Sequence, residues 1–124
     1  MVPEIIRNLE DGDPDPKEAR AERNALALMG AGALEDGWLA ANATWDHSGG
    51  AVSGRAAIQA VRAKQPPAER IRIEQIVTEG QAGSVSGRIT RAGQTRLYCH
   101  VIRFTNSSAN QIAQLVSFEH PGGK

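Results

Sequence analysis

Beyond Pro66-Pro67 the chain carries no helical pattern. Arg70 to Thr78 alternates Ile71 and Ile73 against Arg72 and Glu74, then changes phase at Ile76-Val77, which predicts a bulge. Ala82 to Arg91 reads as a thin, glycine-bearing strand, Ala92-Gly93-Gln94 as a turn, and Thr95 to Thr105 as a long strand. After a turn over Asn106 to Asn110, a last strand runs from about Gln111 to His120. Strands in succession with short connections form an antiparallel meander, so any helices are confined to the first half of the chain.

That half begins with a break. Asp11-Gly12-Asp13-Pro14-Asp15-Pro16 denies both a helix interior and a strand ladder and ends an N-terminal arm, residues 1–16. Asp15 stands as an N-cap, with Pro16 at the first helical position and Glu18 completing a capping box. The helix that follows buries Ala21, Ala25, Leu28 and Met29, turns Arg20, Glu22 and Arg23 to the other side, and stops at Gly30 and Gly32. A second, shorter helix is expected from Ala33 to about Ala41, with Leu34, Trp38 and Ala41 on one stripe. Thr44 and Trp45 favour a strand over Ala43 to His47, closed by Ser48-Gly49-Gly50. Ser53 is expected to cap a third helix, Gly54 to Lys64, whose stripe is Ala57, Ile58 and Val61. The layout is α+β, helices on one side of a curved sheet, as one domain over 17–120 with a short tail at 121–124.

Charge narrows the partners. Fourteen Lys and Arg balance fourteen Asp and Glu, so the basic excess usual in binders of nucleic acid or anionic membranes is missing. The longest uncharged apolar stretch, Asn24 to Leu34, is interrupted by Gly30 and Gly32 and is too short to span a bilayer. The single Cys excludes an internal disulfide, and Met1-Val2-Pro3-Glu4 shows no basic leader, so a reducing cytoplasm is the expected setting.

Alternation along the long strand sends Tyr98, His100, Ile102 and Phe104 to one face and Cys99, Val101 and Arg103 to the other. The same rule pairs Trp45 with His47 and turns Asp46 away. Two imidazoles flanked by aromatic residues in an apolar pocket are suited to general acid-base work, because their unperturbed pKa lies near neutrality; as structural groups they would simply be hydrogen-bonded. Other constellations fail. Asp11, Asp13, Asp15 and Glu22 have calcium-loop spacing, but Pro16 stands where the loop must turn. His47, His100 and His120 share no short spacing that would suit zinc, so no metal is expected. Cys99 and His100 face opposite ways and form no dyad. Gly83 to Gly87 carries Val85 where a nucleophile elbow needs serine, and Gly30-Ala31-Gly32 meets Glu35 where a dinucleotide loop needs glycine.

The run Leu39 to His47 (LAANATWDH), followed by Val52 to Ile58 (VSGRAAI), resembles the ketosteroid-isomerase-like superfamily, also called nuclear transport factor 2-like or SnoaL-like. Leu97 to Phe104 (LYCHVIRF) is similar to its penultimate strand and Gln114 to Phe118 (QLVSF) to its last, so the resemblance covers about Lys17 to His120. It implies a cone-shaped curved antiparallel sheet wrapped around a long N-terminal helix, with two shorter helices, a deep pocket and dimerisation through the sheet. His47 matches the position of the isomerases' carboxylate base and His100 that of their protonated carboxylic acid. Their first-helix tyrosine has no counterpart in Glu22-Arg23-Asn24, and the only tyrosine is Tyr98. Paired histidines resemble the dehydratase branch instead, although its supporting tyrosines are missing.

The expected function is therefore binding of a small apolar or aromatic molecule without a cofactor. Its pocket would be lined by Trp45, Ile102, Phe104, Gln114, Val116 and Phe118, with Trp38 reaching in from the second helix. The alternative is a cofactor-independent lyase or isomerase in which His47 removes a proton and His100, helped by Tyr98, polarises the developing oxyanion. A homodimer through the sheet is expected to use Leu97, Val101, Ala113 and Leu115.

Overall fold

A computed structural model describes residues 3–8, 15–47, 49–106 and 111–121. It contains strand β1 (Glu4–Arg7), helix α1 (Pro16–Leu28), strands β2 (Leu39–His47) and β3 (Gly50–Ser53), helix α2 (Arg55–Lys64) and strands β4 (Arg70–Glu79), β5 (Ala82–Arg91), β6 (Gln94–Phe104) and β7 (Ile112–Pro121). The strands form one curved sheet in the order β1-β4-β5-β6-β7-β2-β3, with the helices packed against it, an α+β architecture. The meander β4 to β7 is antiparallel throughout, as the second half of the sequence predicts. The sheet as a whole is mixed, which corrects the expectation of a purely antiparallel one: β1 pairs parallel with β4, and β2 pairs parallel with β7.

Helix α1 begins where its cap chemistry puts it. Asp15 Oδ1 accepts the Glu18 N–H at 2.8 Å and Glu18 Oε1 accepts the Asp15 N–H at 3.0 Å, so both halves of the capping box are made. Ala21, Ala25 and Leu28 are buried against β4 and β5. Gly30, at φ 92°, turns the chain away. Glu22 is not on the solvent side: it is 2% exposed, because β1 lies alongside and Arg7 meets its carboxylate.

The expected second helix is instead a single 3-10 turn, Asp36–Trp38, and β2 starts at Leu39, four residues earlier than the sequence suggests. Gly37 weakens a helix at its centre, and pairing of Leu39 with Ile112 gives Leu39 and Ala40 a buried place in the sheet. Among the described residues one short α-helix, not two, accompanies α1. Its cap is Gly54, at φ 93° and without a side-chain bond, while Ser53 ends β3. The turn expected over Asn106 to Asn110 falls, from residue 107 to 110, outside the described residues.

Two bulges set the faces of the sheet. In β4 the phase change falls at Glu74, between Ile73 and Gln75, rather than at Ile76-Val77. In β7, Phe104 pairs with Ile112 but Arg103 pairs with Gln114, so Ala113 is the extra residue. Residues before Ala113 and after it therefore point inward on opposite parities.

Candidate functional site

Directly opposed residues in an antiparallel pair share a face. On the inner face, β6 contributes Tyr98, His100, Ile102 and Phe104, all buried, and β7 places Glu119, Ser117 and Leu115 opposite the first three. The alternation expected for β6 holds. That for β7 does not: Gln114, Val116 and Phe118 lie on the outer face, opposite Arg103, Val101 and Cys99, and Phe118 is 57% exposed. The bulge at Ala113 is the cause, since Ile112 points inward and an unbroken strand would have carried the next even-numbered residues with it. Leu115, expected on the outer face, is fully buried for the same reason. Trp38 is half-buried and lies beneath the Arg23 guanidinium, 4.2 Å from its ring centre.

Ser117, which the sequence reading missed, is the hinge of the inner polar cluster. Its hydroxyl accepts the Trp45 Nε1–H at 2.9 Å and stands 2.7 Å from His100 Nδ1. Indole can only donate, so one Ser117 lone pair is occupied; the hydroxyl meets His100 Nδ1 either with its own hydrogen or with its second lone pair, according to the tautomer of the ring. His100 Nε2 is a buried nitrogen with no hydrogen-bond partner among the described residues. Burial, reinforced by the nearby positive charge of Arg91, lowers the His100 pKa to about 4, so the ring is uncharged at neutral pH.

Arg91 is itself held in place. Its Nη1 reaches both oxygens of inward-facing Glu119 at 2.9 and 2.8 Å, Nη2 donates to Gln65 Oε1, and Nε donates to the Pro66 carbonyl. The side chain thus ties the end of α2 to the sheet.

The backbone sets the tautomer of His47. Gly49 N–H donates to its Nδ1 at 3.0 Å, and a ring nitrogen that accepts carries no proton. Its Nε2 is likewise buried and unpartnered. The His47 ring lies 5.3 Å from that of Trp45, and the Tyr98 ring lies 5.4 Å from that of His100. The Tyr98 hydroxyl donates to the Arg72 carbonyl at 2.9 Å, and burial raises its pKa, with Glu74 and Glu22 adding to the effect. The cluster therefore comprises Trp45, His47, Tyr98, His100 and Ser117, with Ile102 and Phe104 buried farther along β6. Among the described residues no three His, Cys, Asp or Glu side chains gather in a way that would hold a metal ion. No helix among them is long and apolar enough to cross a membrane.

Sequence comparison is silent: no family model matches the chain, and no curated protein does. Solved structures are informative. An NTF2-like protein of unknown function from Burkholderia xenovorans superposes with a TM-score of 0.68 at 19% identity, over 89% of this chain and 90% of that one. A Kribbella flavida protein proposed as a ketosteroid isomerase gives 0.68 at 13% identity, over 86% of this chain and 79% of that one. An LEH-like epoxide hydrolase from M. tuberculosis gives 0.56 at 17% identity, over 85% and 86%. The fold is the one that NTF2-like and ketosteroid-isomerase-like proteins share, as the sequence resemblance implies.

Proposed function

We infer that the chain binds a small, mostly apolar molecule carrying a hydrogen-bond acceptor, with His100 Nε2–H donating to that acceptor. One observation carries this reading: the buried His100 ring is engaged at Nδ1 by Ser117 while its Nε2 meets nothing in the described protein, and with Ser117 as the donor to Nδ1 that Nε2 bears the proton. A buried donor without a partner costs about 1–3 kcal/mol, which an acceptor on a ligand would recover. Trp45, Tyr98, Ile102 and Phe104 supply the apolar surroundings.

The reading as a lyase or isomerase needs a proton acceptor. His47 Nδ1 is occupied by the Gly49 N–H, and His100 resists protonation, so with Ser117 donating to His100 Nδ1 neither ring keeps a nitrogen free to take a proton. Binding is accordingly preferred to acid-base chemistry by this pair, and the superposed structures, which include proteins of unknown function beside an epoxide hydrolase, favour neither.

The experiment is a comparison of cyclic ketones with the hydrocarbons of the same ring size, titrated into the protein and into His100→Phe by calorimetry. The ketone is expected to bind the native chain about tenfold more tightly than its hydrocarbon, and to lose that advantage in the variant. Equal affinity for ketone and hydrocarbon in the native chain would sink the assignment.

The outer face of the sheet, where Val77 and Phe118 are 48% and 57% exposed beside half-buried Val101 and Val116, is proposed as the surface that meets a second copy.

A further inference from the structure

The inner cluster is closed to solvent. His100 is 4% exposed, and its Nε2 and that of His47 are both buried, so a molecule that meets them needs a segment that moves aside. The sheet register shows which segment adjoins the cluster. Arg7, Ile73, Gly87 and Tyr98 form one row across β1, β4, β5 and β6 on the inner face. Gly87 has no side chain, so Tyr98 reaches across it to the Arg72 carbonyl, at 2.9 Å, one strand from β1. Glu22 of α1, paired with Arg7, acts on the Tyr98 phenol with its charge, and the Tyr98 ring lies 5.4 Å from that of His100. The cluster thus extends, by Tyr98 and Glu22, to the edge strand β1.

That strand is weakly held. It is four residues long and stands at the edge of the sheet, paired with β4. Over residues 3–8 only Pro3 is buried, while Glu4, Ile5, Arg7 and Asn8 are exposed. Its side chains make two ion pairs: Glu4 with Arg70, both more than half exposed, and Arg7 with Glu22. Where Arg7 meets α1 the packing is incomplete, leaving a cavity of about 220 Å³ lined by Arg7, Ala19, Glu22, Arg23, Leu26 and Ala31. Few buried apolar contacts and a solvent-exposed ladder are the marks of a segment that opens locally.

Glu22 sets the balance between closed and open. Its side chain is 3% exposed, and Arg7 places both Nε, at 2.7 Å, and Nη2, at 2.6 Å, on Oε2. Oε1 is buried with no hydrogen-bond partner among the described residues. The closed arrangement therefore gains one charged contact and carries one unmatched carboxylate oxygen. Hydration of that carboxylate when Arg7 withdraws offsets part of the ladder that is lost.

We propose that β1 is a strap that opens from β4 while the rest of the sheet stays paired, and that its opening admits solvent and small molecules to the Tyr98 side of the inner cluster. Arg7 is its latch, and β4 is the edge it uncovers. That the passage serves a ligand rests on the function inferred for His100; the opening itself does not, and it is tested without that ligand.

Two readouts on the full chain decide it. Amide hydrogen exchange follows the strap at Asn8, whose N–H donates to the Ile73 carbonyl at 2.8 Å, and the core at Ile102. N-Acetylimidazole, which passes its acetyl group to a phenol oxygen and leaves as imidazole, follows access to Tyr98, the only tyrosine, by absorbance. Asn8 exchange and Tyr98 acetylation are expected to be insensitive to low urea, because a local opening exposes little surface, whereas Ile102 exchange rises with urea. Arg7→Gln leaves the closed state with a buried carboxylate and no counter-charge, so it should speed both reactions equally, by at least about tenfold. Arg70→Gln removes only the exposed pair with Glu4 and should speed both by about two- to threefold. It carries the test if Arg7→Gln does not fold. Asn8 exchange that follows Ile102, or Tyr98 acetylation that stays constant while Asn8 exchange accelerates, would overturn the proposal. So would acetylation that rises with urea in step with Ile102.

Discussion

The Ser117 hydroxyl stands 2.7 Å from His100 Nδ1 while it accepts the Trp45 indole N–H, so one β7 side chain holds both an aromatic anchor and a buried imidazole. Removing it leaves an indole donor unmatched and frees the imidazole to exchange tautomers. Ser117→Ala is expected to lose about 1–3 kcal/mol of stability in urea unfolding. Long-range nitrogen-proton NMR spectra should show His100 protonated on Nε2 in the native chain and a mixture in the variant. A native His100 protonated on Nδ1 would contradict the assignment.

The low His100 pKa gives stability a definite pH dependence. Its folded value of about 4 lies below the 6.5 of an unperturbed imidazole, so between those values the unfolded chain binds the extra proton. Stability is therefore full above pH 6.5 and falls as the pH drops toward 4, by roughly 3 kcal/mol in total. In His100→Gln this component should vanish, making its stability flatter than the native protein's over the same window. Parallel pH profiles for the two proteins would show that His100 does not titrate as its burial requires.

A third consequence concerns Gly87. It pairs with Tyr98 on one side and Ile73 on the other, and a Cβ built there would stand 1.9 Å from the Arg72 carbonyl oxygen, which also receives the Tyr98 hydroxyl. Backbone cannot yield as a flexible side chain can, so the bulge at Glu74 and the Tyr98 bond would both be displaced. Gly87→Ala is expected to destabilise by more than about 3 kcal/mol, well beyond an ordinary surface substitution. Gly37→Ala, where nothing lies within 4 Å, is the control and should stay within about 0.5 kcal/mol. Similar melting temperatures for the two variants would refute the steric account.

What the sequence discloses follows from how local each determinant is. Asp15, Pro16 and Glu18 carry the start of α1 within four residues, and the alternation Tyr98, His100, Ile102 and Phe104 carries a face, so both are legible. The strand at Leu39 to Asn42 is not, because Ala and Leu favour a helix there and only distant Ile112 makes it sheet. Ser117 stayed hidden behind one inserted residue: Ala113 inverts the parity, and nothing in Gln114 to Phe118 announces it. Burial of Glu22 depends on Arg7, fifteen residues away on a strand too short to read.

The same inversion yields a contrast between neighbours on β7. Leu115 is fully buried opposite Ile102, so Leu115→Ala opens a cavity and is expected to cost about 2–5 kcal/mol. Phe118, the larger side chain, stands outside opposite Cys99 and buries little within one chain; Phe118→Ser should change the stability of an isolated protomer by no more than about 0.5 kcal/mol. If the outer face meets a second copy, as proposed, Phe118 lies within the contact, and its replacement should shift the light-scattering mass toward the monomer at micromolar concentration. An apolar anchor withdrawn from the centre of an interface typically weakens it by about 2 kcal/mol, some thirtyfold in dissociation constant. A native chain that is monomeric across that range, or a Phe118→Ser variant that associates as strongly, would overturn the dimer through this face. A large stability loss in Phe118→Ser at concentrations too low for association would instead place Phe118 in the core and the Ala113 bulge in error.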